Sequence, residues 1–230
     1  MSWVLALVFL AAADMTSSPV TSMSLPAIDQ WARAVTNPLF PLIPGSMYVY
    51  ADSTAGEIDT MLVAPATEEI LGVRATIVID RSYRQGKLIE DTRDYYAQDK
   101  TGNVWYLGED TREIHGANVS TEGSWRAGRE GGQPGIVMWA SPKPGEPYRQ
   151  EYLKGHAEDM ARVVATDARV MVPAGRYSNC VATEEWSPLE PGERERKVYA
   201  RTVGLVEQRS LTGGHEHLVL VSWTRPDGSP

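Results

Sequence analysis

The stretch 95–110, YYAQDKTGNVWYLGED, constrains the fold of this chain more than any other part of the sequence. Tyr95 and Tyr96 begin it, Trp105 and Tyr106 follow its centre, and a polar turn lies between the two aromatic pairs. Asp, Asn and Gly favour turns because of side-chain bonds to the local backbone or tolerance of positive φ. Aromatic residues suit a half-buried pleated surface. The pattern therefore predicts a β-hairpin with a longer loop.

Alternation of apolar and polar residues extends on both sides of this hairpin, from residue 46 almost to the C-terminus. One short amphipathic helix is predicted at 26–35, where Ile28, Trp31 and Val35 are spaced three and four apart after a proline. The Gly-rich segment 123–145 is predicted to be the mouth or lid of a cavity, since loops this long are usually functional or mobile. Strands are predicted at 47–51, 57–63, 72–83, 88–98, 104–108, 148–153, 159–166, 169–172, 179–186, 194–200, 204–211 and 217–223.

A weak internal repeat relates two halves of the chain, at about 44–110 and 144–211. The motif Pro-Gly-x-x-Tyr recurs at an offset of 100, and Tyr-Ala recurs at an offset of 103, at Tyr96 and Tyr199. Chance similarity between two strand-rich halves is the alternative explanation.

The sequence predicts an all-β fold for a single domain at 25–230. The expected architecture is a single antiparallel β-barrel, or a strongly twisted sandwich, of about ten strands from two related halves. A short N-terminal helix would precede it. Either arrangement protects the strand edges.

The N-terminal segment Met1–Ala13 is an apolar run that is too short to span a bilayer and fits the apolar region of a signal peptide. Ala11 and Ala13 offer a cleavage site, and the Ser/Thr/Pro-rich residues 14–24 are predicted to be a linker. The first basic residue is Arg33, so a buried or anchoring helix is the alternative. We expect export if the segment is a signal peptide and a cytoplasmic protein otherwise, with no integral membrane span in the mature domain.

Charge and cysteine content exclude several classes of partner and site. With 22 basic and 30 acidic residues among 230, the net charge of −8 argues against nucleic acid or an anionic membrane as the main partner. Cys180 is the only cysteine, so an intramolecular disulfide and any CxxC motif are excluded. Its neighbours alternate like a strand, which favours a buried thiol over a nucleophile.

Several segments of the chain resemble a family of exported, largely uncharacterised actinobacterial proteins, many of them lipoproteins. They include NPLFPLIPGSMYVY, YYAQDKTGNVWYLGEDT, VPAGRYSNC and TEEWSPLEPG, within residues 37–222. The resemblance implies export but no reaction, and the chain lacks the lipobox cysteine of the lipoprotein members. A fainter resemblance, in architecture and size alone, is to the β-barrel cyclases of tetronate and polyether pathways. It implies a cavity that encloses a linear polyketide.

The aromatic residues predict a cavity for a small molecule. There are 7 Trp and 10 Tyr but only 2 Phe, and Tyr and Trp need partners for their polar groups when buried. Such side chains suit a site for a hydrophobic, oxygen-bearing molecule; the alternative is that they surround a sandwich core. The predicted ligand-binding residues are Tyr48, Tyr50, Tyr83, Tyr96, Trp105, Trp125, Trp139, Tyr148, Trp186 and Tyr199.

Candidate catalytic residues are Asp94, Glu184 and His156. Asp94 and Glu184 each share a strand face with an aromatic residue two positions later, where the carboxyl pKa could be raised for acid–base work. The alternative is a solvated exterior with arginine partners across the strands. No established catalytic motif is present, and no cofactor is predicted.

His215 and His217 lie on one face of a predicted strand and could bind zinc with a third ligand. The alternative, an exposed edge strand with no metal, is preferred.

Two functions follow from this pattern. The first is an exported module that binds a hydrophobic small molecule. The second is a cofactor-independent cyclase that holds a linear polyketide in a reactive conformation. Sequence leaves open whether the protein is an enzyme, and its oligomeric state.

Overall fold

The computed structural model describes residues 24–52 and 54–226. The segment Met1–Ala13 and nearly all of the linker lie outside this part of the chain. The described residues form one antiparallel sheet of 16 strands and one short 3₁₀ helix, Ile28–Gln30. The strands are β1 Met47–Asp52, β2 Glu57–Ile70, β3 Val73–Arg84, β4 Lys87–Gln98, β5 Val104–Asp110, β6 Glu113–His115, β7 Asn118–Ser120, β8 Trp125–Arg126, β9 Gln133–Met138, β10 Tyr148–Arg149, β11 Glu151–Tyr152, β12 Met160–Val172, β13 Gly175–Trp186, β14 Arg194–Ala200, β15 Gly204–Thr212 and β16 His217–Thr224.

The predicted all-β class is confirmed, but the predicted barrel is wrong, because the sheet is not closed. Its hydrogen-bonded order is β10-β12-β13-β14-β15-β16-β1-β2-β3-β4-β5-β9-β11, with β6, β7 and β8 attached to β4 and β5. The end strands β10 and β11 have two residues each and are separated only by Gln150, whose N–H donates to the Asp159 carbonyl at 2.8 Å. These strands are too short to continue one ladder into the other.

Strand order is the same in the two halves of the chain. The sheet runs β1-β2-β3-β4-β5-β9 in the first half and β10-β12-β13-β14-β15-β16 in the second. β2 begins at Glu57 and β12 at Met160, an offset of 103 residues that equals the offset of the Tyr-Ala motif. Residues 94 and 197 therefore occupy corresponding places on β4 and β14.

The prediction of about ten strands is wrong because the Gly-rich middle of the chain also forms strands. β6 to β9 all lie between residues 113 and 138. Ile136 of β9 is fully buried and lies opposite Trp105 of β5. These strands are too short for a clear alternating pattern, and two of them, β8 and β9, pair with β5 instead of with a sequence neighbour.

The predicted N-terminal helix is also wrong, since only Ile28–Gln30 is helical, as a single 3₁₀ turn. Trp31 is extended and forms a bridge with Asp99, and the Ala32 N–H donates to the Gln98 carbonyl at 2.8 Å. The Trp31 ring also meets the edge of Trp105, with centroids 5.8 Å apart. These tertiary contacts outweigh the marginal stability of a ten-residue helix.

The hairpin predicted at 95–110 is present as β4 and β5. Asp99 organises its turn by accepting hydrogen bonds from the Thr101 hydroxyl at 2.6 Å, the Asn103 N–H at 3.0 Å and the Trp105 indole at 2.9 Å. Burial raises the pKa of Asp99, but these hydrogen bonds outweigh it and the pKa is lowered. The hydrogen bonds to Asp99 thus fix the conformation of the turn, which the turn-forming residues of the sequence predicted.

No helix in the described residues is both long and apolar enough to cross a membrane.

Candidate functional site

A cavity of about 310 Å³ is lined by side chains from both halves of the sheet. One wall is formed by β3, β4 and β5, and the other by β13, β14 and β15. Six carboxyl groups and one ammonium group line the cavity, together with tyrosine rings and aliphatic side chains. The charged residues are Asp80, Asp94, Glu109, Glu151, Asp159, Glu185 and Lys197.

In the first wall, residues of the same chemical type lie opposite one another on β4 and β5. Asp94 lies directly opposite Glu109, and Tyr96 lies directly opposite Tyr106. Side chains opposite one another in an antiparallel pair point to the same face and lie about 5 Å apart. Two carboxyl groups and two phenol rings are thus held next to one another on the cavity side.

A β-bulge in β5 makes this arrangement possible. Tyr106 and Glu109 are three residues apart, so a regular strand would point them to opposite faces. Leu107 is the extra residue that shifts the register, and Gly108 follows it with φ +134°. A Cβ on Gly108 would lie 2.5 Å from the Trp125 carbonyl oxygen. Glycine is therefore required where β8 approaches β5 closely.

Aromatic rings line the side of the cavity next to these carboxyl groups. The Tyr96 and Tyr106 rings stack with centroids 4.9 Å apart. Phe40 meets the edge of Tyr96 at 5.1 Å and lies 6.3 Å from the Tyr199 ring of the second half. The Trp125 ring packs edge-on against the Tyr106 ring, with centroids 5.6 Å apart. The rings form a rigid surface for the apolar part of a ligand.

The carboxyl groups of the first wall have strongly raised pKa values. Burial raises the pKa of Asp94 to about 6, against the opposing hydrogen bond that the Tyr106 hydroxyl donates at 2.5 Å. Burial and the neighbouring charge of Asp94 raise the pKa of Glu109 to about 8. Burial and Asp94 also raise the pKa of Asp80 well above its ordinary value. Like charges that lose water favour the protonated form.

No basic side chain in the described part of the chain forms an ion pair with Asp80, Asp94, Glu109 or Glu151. Burial, followed by the charge of Asp159, raises the pKa of Glu151 as well. This part of the cavity therefore has an unbalanced excess of acidic groups.

The second wall contains a complete ion-pair network. The Lys197 ammonium lies 3.0 Å from Glu185 and 2.9 Å from Glu195. Glu185 also accepts hydrogen bonds from the hydroxyls of Thr183 at 2.7 Å and Tyr199 at 3.3 Å. Burial alone would lower the pKa of Lys197, but the two glutamates outweigh it and raise the pKa well above its ordinary value. The two glutamates thus favour the charged form of Lys197.

Two buried donors lie near the cavity, the indole N–H of Trp125, which is 3% exposed, and the hydroxyl of Tyr148, which is 7% exposed. Among the described residues, neither donor has an acceptor at ordinary hydrogen-bond geometry. Trp125 lies beside the Glu151 carboxyl, and Tyr148 lies within the field of Glu185 and Lys197. Unsatisfied buried polar groups are uncommon in folded proteins, and a bound water, ion or ligand is one way in which they are satisfied.

Of the ten aromatic residues predicted to bind a ligand, Tyr96 and Tyr199 line the cavity. Trp125 and Tyr148 lie behind its lining, as described above. The others contact different parts of the molecule. Tyr48 stacks on Trp223, the Tyr50 hydroxyl donates to the Leu205 carbonyl, and the Trp105 indole donates to Asp99. Trp139 packs edge-on against Tyr148, Trp186 lies under the Arg194 guanidinium, and Tyr83 is half-buried on β3. Ligand contact by any of the ten stays a prediction.

The three candidate catalytic residues have different surroundings. Asp94 lines the cavity. Glu184 lies outside it and pairs with Arg162 at 2.8 Å, while the next residue, Glu185, faces the cavity. His156 is exposed in the turn between β11 and β12. Of the three, only Asp94 is placed beside other ionisable groups of the cavity.

The two histidines proposed for zinc are exposed, and the His217 ring contacts Glu207 at 2.9 Å. Residues 24–52 and 54–226 contain no group of three or more His, Cys, Asp or Glu side chains arranged to hold a metal ion. The zinc hypothesis thus has no third ligand in this part of the chain.

Sequence reasoning did not single out Asp80, Glu151 or Lys197. A usable signal existed for Lys197, because the offset of 103 that aligns Tyr96 with Tyr199 also aligns Asp94 with Lys197. A lysine and an aspartate at corresponding places in two related walls indicate a charged cavity. Asp80 and Glu151 had no such signal.

Comparison with known proteins gives little to add to this geometry. No family model matches the chain, and no curated protein matches it. One similar solved structure is a protein thought to be exported, with a YmcC-like fold, from Bacteroides fragilis NCTC 9343 (17% identity, TM-score 0.47, covering 81% of this chain and 98% of that one). Another is a protein thought to be a lipoprotein, from Parabacteroides distasonis ATCC 8503 (12% identity, TM-score 0.44, covering 82% and 99%). Neither comparison shows the actinobacterial link or the similarity to cyclases, and TM-scores below 0.5 support no assignment of fold or function.

Proposed function

We propose that the protein binds a small organic molecule that bears an ammonium group, with its apolar part against the tyrosine rings of the cavity. The observation that carries this proposal is the group of buried carboxyls without a basic partner, next to the stacked rings of Tyr96 and Tyr106. Export, predicted from Met1–Ala13, would place this binding outside the cytoplasm.

The electrostatics of the first wall support a cation. Buried carboxylates are unfavourable unless they are paired or protonated. The pKa values of Asp94 and Glu109 are raised, which favours their protonated, uncharged forms. A ligand ammonium would replace those protons, and the faces of Tyr96 and Tyr106 would add cation–π attraction.

Lys197 provides a precedent within the same cavity. Its ammonium is held between two carboxylates at 2.9–3.0 Å although its surroundings are largely desolvated. The cavity therefore already accommodates one alkylammonium group. The carboxyls of the opposite wall offer the same chemistry to a second one.

This proposal revises the ligand predicted from the sequence. The apolar body is retained, since Phe40, Leu42, Met61 and Leu205 line the cavity. Ligand oxygens are also retained, because the protonated carboxyls of the first wall could donate to them. A positive charge is added, which the aromatic count alone did not indicate.

Catalysis is a second candidate function, favoured by the Asp94–Glu109 pair. Two facing carboxyls with pKa values of about 6 and about 8 could exchange protons with a bound molecule near neutral pH. Cyclisation of a linear polyketide is less well supported, because a neutral chain has no positive charge to pair with the carboxyl groups and could only accept hydrogen bonds from their protonated forms. Mass spectrometry of the amine after incubation with the protein would reveal turnover.

The binding proposal is tested by calorimetry of the full chain with three probes of equal length at pH 8. Hexylamine should bind, 1-hexanol should bind at least tenfold more weakly, and hexanoate should not bind. The variant Glu109→Gln should weaken hexylamine, while Glu184→Gln, which alters a carboxyl outside the cavity, should not. Equal affinities for hexylamine and hexanol would overturn the proposal.

A further inference from the structure

One end of the cavity is closed by residues 37–42, a segment outside the strands that we call the strap. Three of its side chains, Phe40, Pro41 and Leu42, line the cavity. Pro41 and Leu42 are buried, and Phe40 is half-buried. The strap thus presents an apolar surface to the inside of the cavity.

Hydrogen bonds fix the strap to both walls. The Asn37 N–H donates to the side-chain oxygen of Gln98 on β4 at 2.7 Å, and the Asn37 amide donates to the Gly102 carbonyl at 2.9 Å. On the other wall, the Thr202 N–H donates to the Pro38 carbonyl at 2.6 Å. The strap therefore joins the turn between β4 and β5 to the turn between β14 and β15, across one end of the cavity.

The side chains that face the cavity follow one another in a fixed order away from the strap. Gln98, Tyr96 and Asp94 alternate along one face of β4, with steps of about 7 Å between them. Gln98 bonds to the strap, Tyr96 comes next, and Asp94 is the furthest from it. On β14, Tyr199 and Lys197 follow the same order. The tyrosine rings therefore lie between the strap and the charged groups.

Phe40 connects the strap to these rings. Its ring meets the edge of the Tyr96 ring with centroids 5.1 Å apart, and it lies 6.3 Å from the Tyr199 ring on the other wall. A ligand with its ammonium beside Asp94 and Glu109 would extend its apolar tail past Tyr96 towards Phe40. The opposite orientation would bury the ammonium against the apolar strap, where an unpaired charge is unfavourable.

We propose that Phe40 determines the specificity of this site, because its ring ends the cavity and limits the length of the ligand's apolar tail. This inference rests on the proposed function and adds the ligand class and its orientation. The ligand is a monoamine with a short apolar tail. Its ammonium lies among the carboxyls, and the end of its tail lies against Phe40.

The test is a calorimetric series on the full chain at pH 8, with ethylamine, butylamine, hexylamine, octylamine and decylamine. Each buried methylene group increases the affinity about fourfold. The affinity should therefore rise up to one tail length and fall at least fivefold for the longest tail. Phe40→Ala should move the optimum by at least two carbons to longer tails, and Phe40→Trp should move it to shorter tails.

Ile43→Ala is the matched control. Ile43 follows the strap directly, is 37% exposed and does not line the cavity. Its truncation should leave the optimal tail length unchanged. Phe40→Trp keeps an aromatic ring beside Tyr96, so it tests the proposal even where Phe40→Ala fails to fold.

The outcomes separate the two proposals. If hexylamine binds more tightly than 1-hexanol but the affinity rises through to decylamine, Phe40 sets no limit, and the proposed function stands without it. The same holds if neither Phe40 variant moves the optimum, or if Ile43→Ala moves it as far as Phe40→Ala does. If no amine in the series binds, both proposals are overturned.

Discussion

Positions 94 and 197 correspond in the two halves of the sheet, and they carry opposite charges. Each is followed two residues later by a cavity tyrosine, Tyr96 or Tyr199. In the second half, Lys197 forms ion pairs with both Glu185 and Glu195, so the carboxylates of this wall have a cationic partner within the wall. In the first half, Asp94 adds a further acid to an acidic wall. One difference in charge thus separates a stabilising network from a candidate binding surface.

The strongest test of this contrast is Lys197→Met. It removes the cation beside Glu185, which is only 4% exposed. Leaving one member of a buried ion pair without its partner costs about 4 kcal/mol. We expect a loss of that size in urea denaturation at pH 7.5.

Lys197→Arg is the matched control, since it keeps the charge and should recover most of the stability. A loss below about 1 kcal/mol for the methionine variant would show that the second wall does not depend on its ion pairs.

Gly108→Ala is expected to have the next largest effect, about 3 kcal/mol. The new Cβ would lie 2.5 Å from the Trp125 carbonyl oxygen on a backbone with φ +134°. The bulge that points both Tyr106 and Glu109 into the cavity would be distorted, so hexylamine binding should fall together with stability. Urea denaturation and calorimetry measure the two losses.

Gly116→Ala provides the comparison, because φ is +66° there and no atom lies within 4 Å of the added Cβ. It should cost about 1 kcal/mol. Equal losses for the two variants would show that close approach at Gly108 is unimportant.

Glu109→Gln should change the free energy of unfolding in the opposite direction to Lys197→Met. The pKa of Glu109 is raised in the folded protein to about 8 from an ordinary 4.5. Its contribution to stability is thus fully present below about pH 4.5 and is lost as the pH rises towards 8. A change of about 1 in the pKa corresponds to about 1.4 kcal/mol, and partial exposure of Glu109 reduces the full effect. We therefore expect the variant to be more stable than the native protein by at least about 1 kcal/mol at pH 8, with no gain at pH 4.5.

Urea denaturation at several pH values between 4.5 and 8 measures this difference. A destabilised variant at pH 8 would mean that the Glu109 carboxylate has a cationic partner, and the contrast between the two walls would fail.

Glu184→Gln should have the smallest effect, below about 0.5 kcal/mol, because its ion pair with Arg162 is partly exposed. Thermal denaturation of this variant and of Glu185→Gln compares adjacent carboxyls outside and inside the cavity. A larger loss for Glu184→Gln than for Glu185→Gln would reverse the assignment of the strand faces.

Much of the fold could be predicted from sequence because its signals are local. The hairpin 95–110 combines aromatic strands with an Asp-centred turn, and both are present. The helix at 26–35 was wrong because a distant partner, Asp99, holds Trp31 in an extended conformation. Local spacing contains no information about such a partner.

The residues of the site were harder to predict because they depend on which face of each strand points into the cavity. Alternation relates Glu184 to Trp186 but does not tell which face lies inside, and the inward carboxyl is Glu185. For Glu109, the face also depends on the bulge at Leu107. Asp94 was proposed from the sequence because it shares a strand face with Tyr96, two residues later.

The short strands around Gln150 have a consequence for how the chain assembles. Strands adjacent in sequence pair within each half, and among the described residues the two halves join along two lines, β1 with β16 and β9 with β11. Only the first line joins residues far apart in sequence, such as Tyr50 and Leu220, so we expect β1 and β16 to pair late in folding. Each half also presents two strand edges that the other half covers. Two fragments separated near residue 145 should therefore recognise each other and reassemble when mixed.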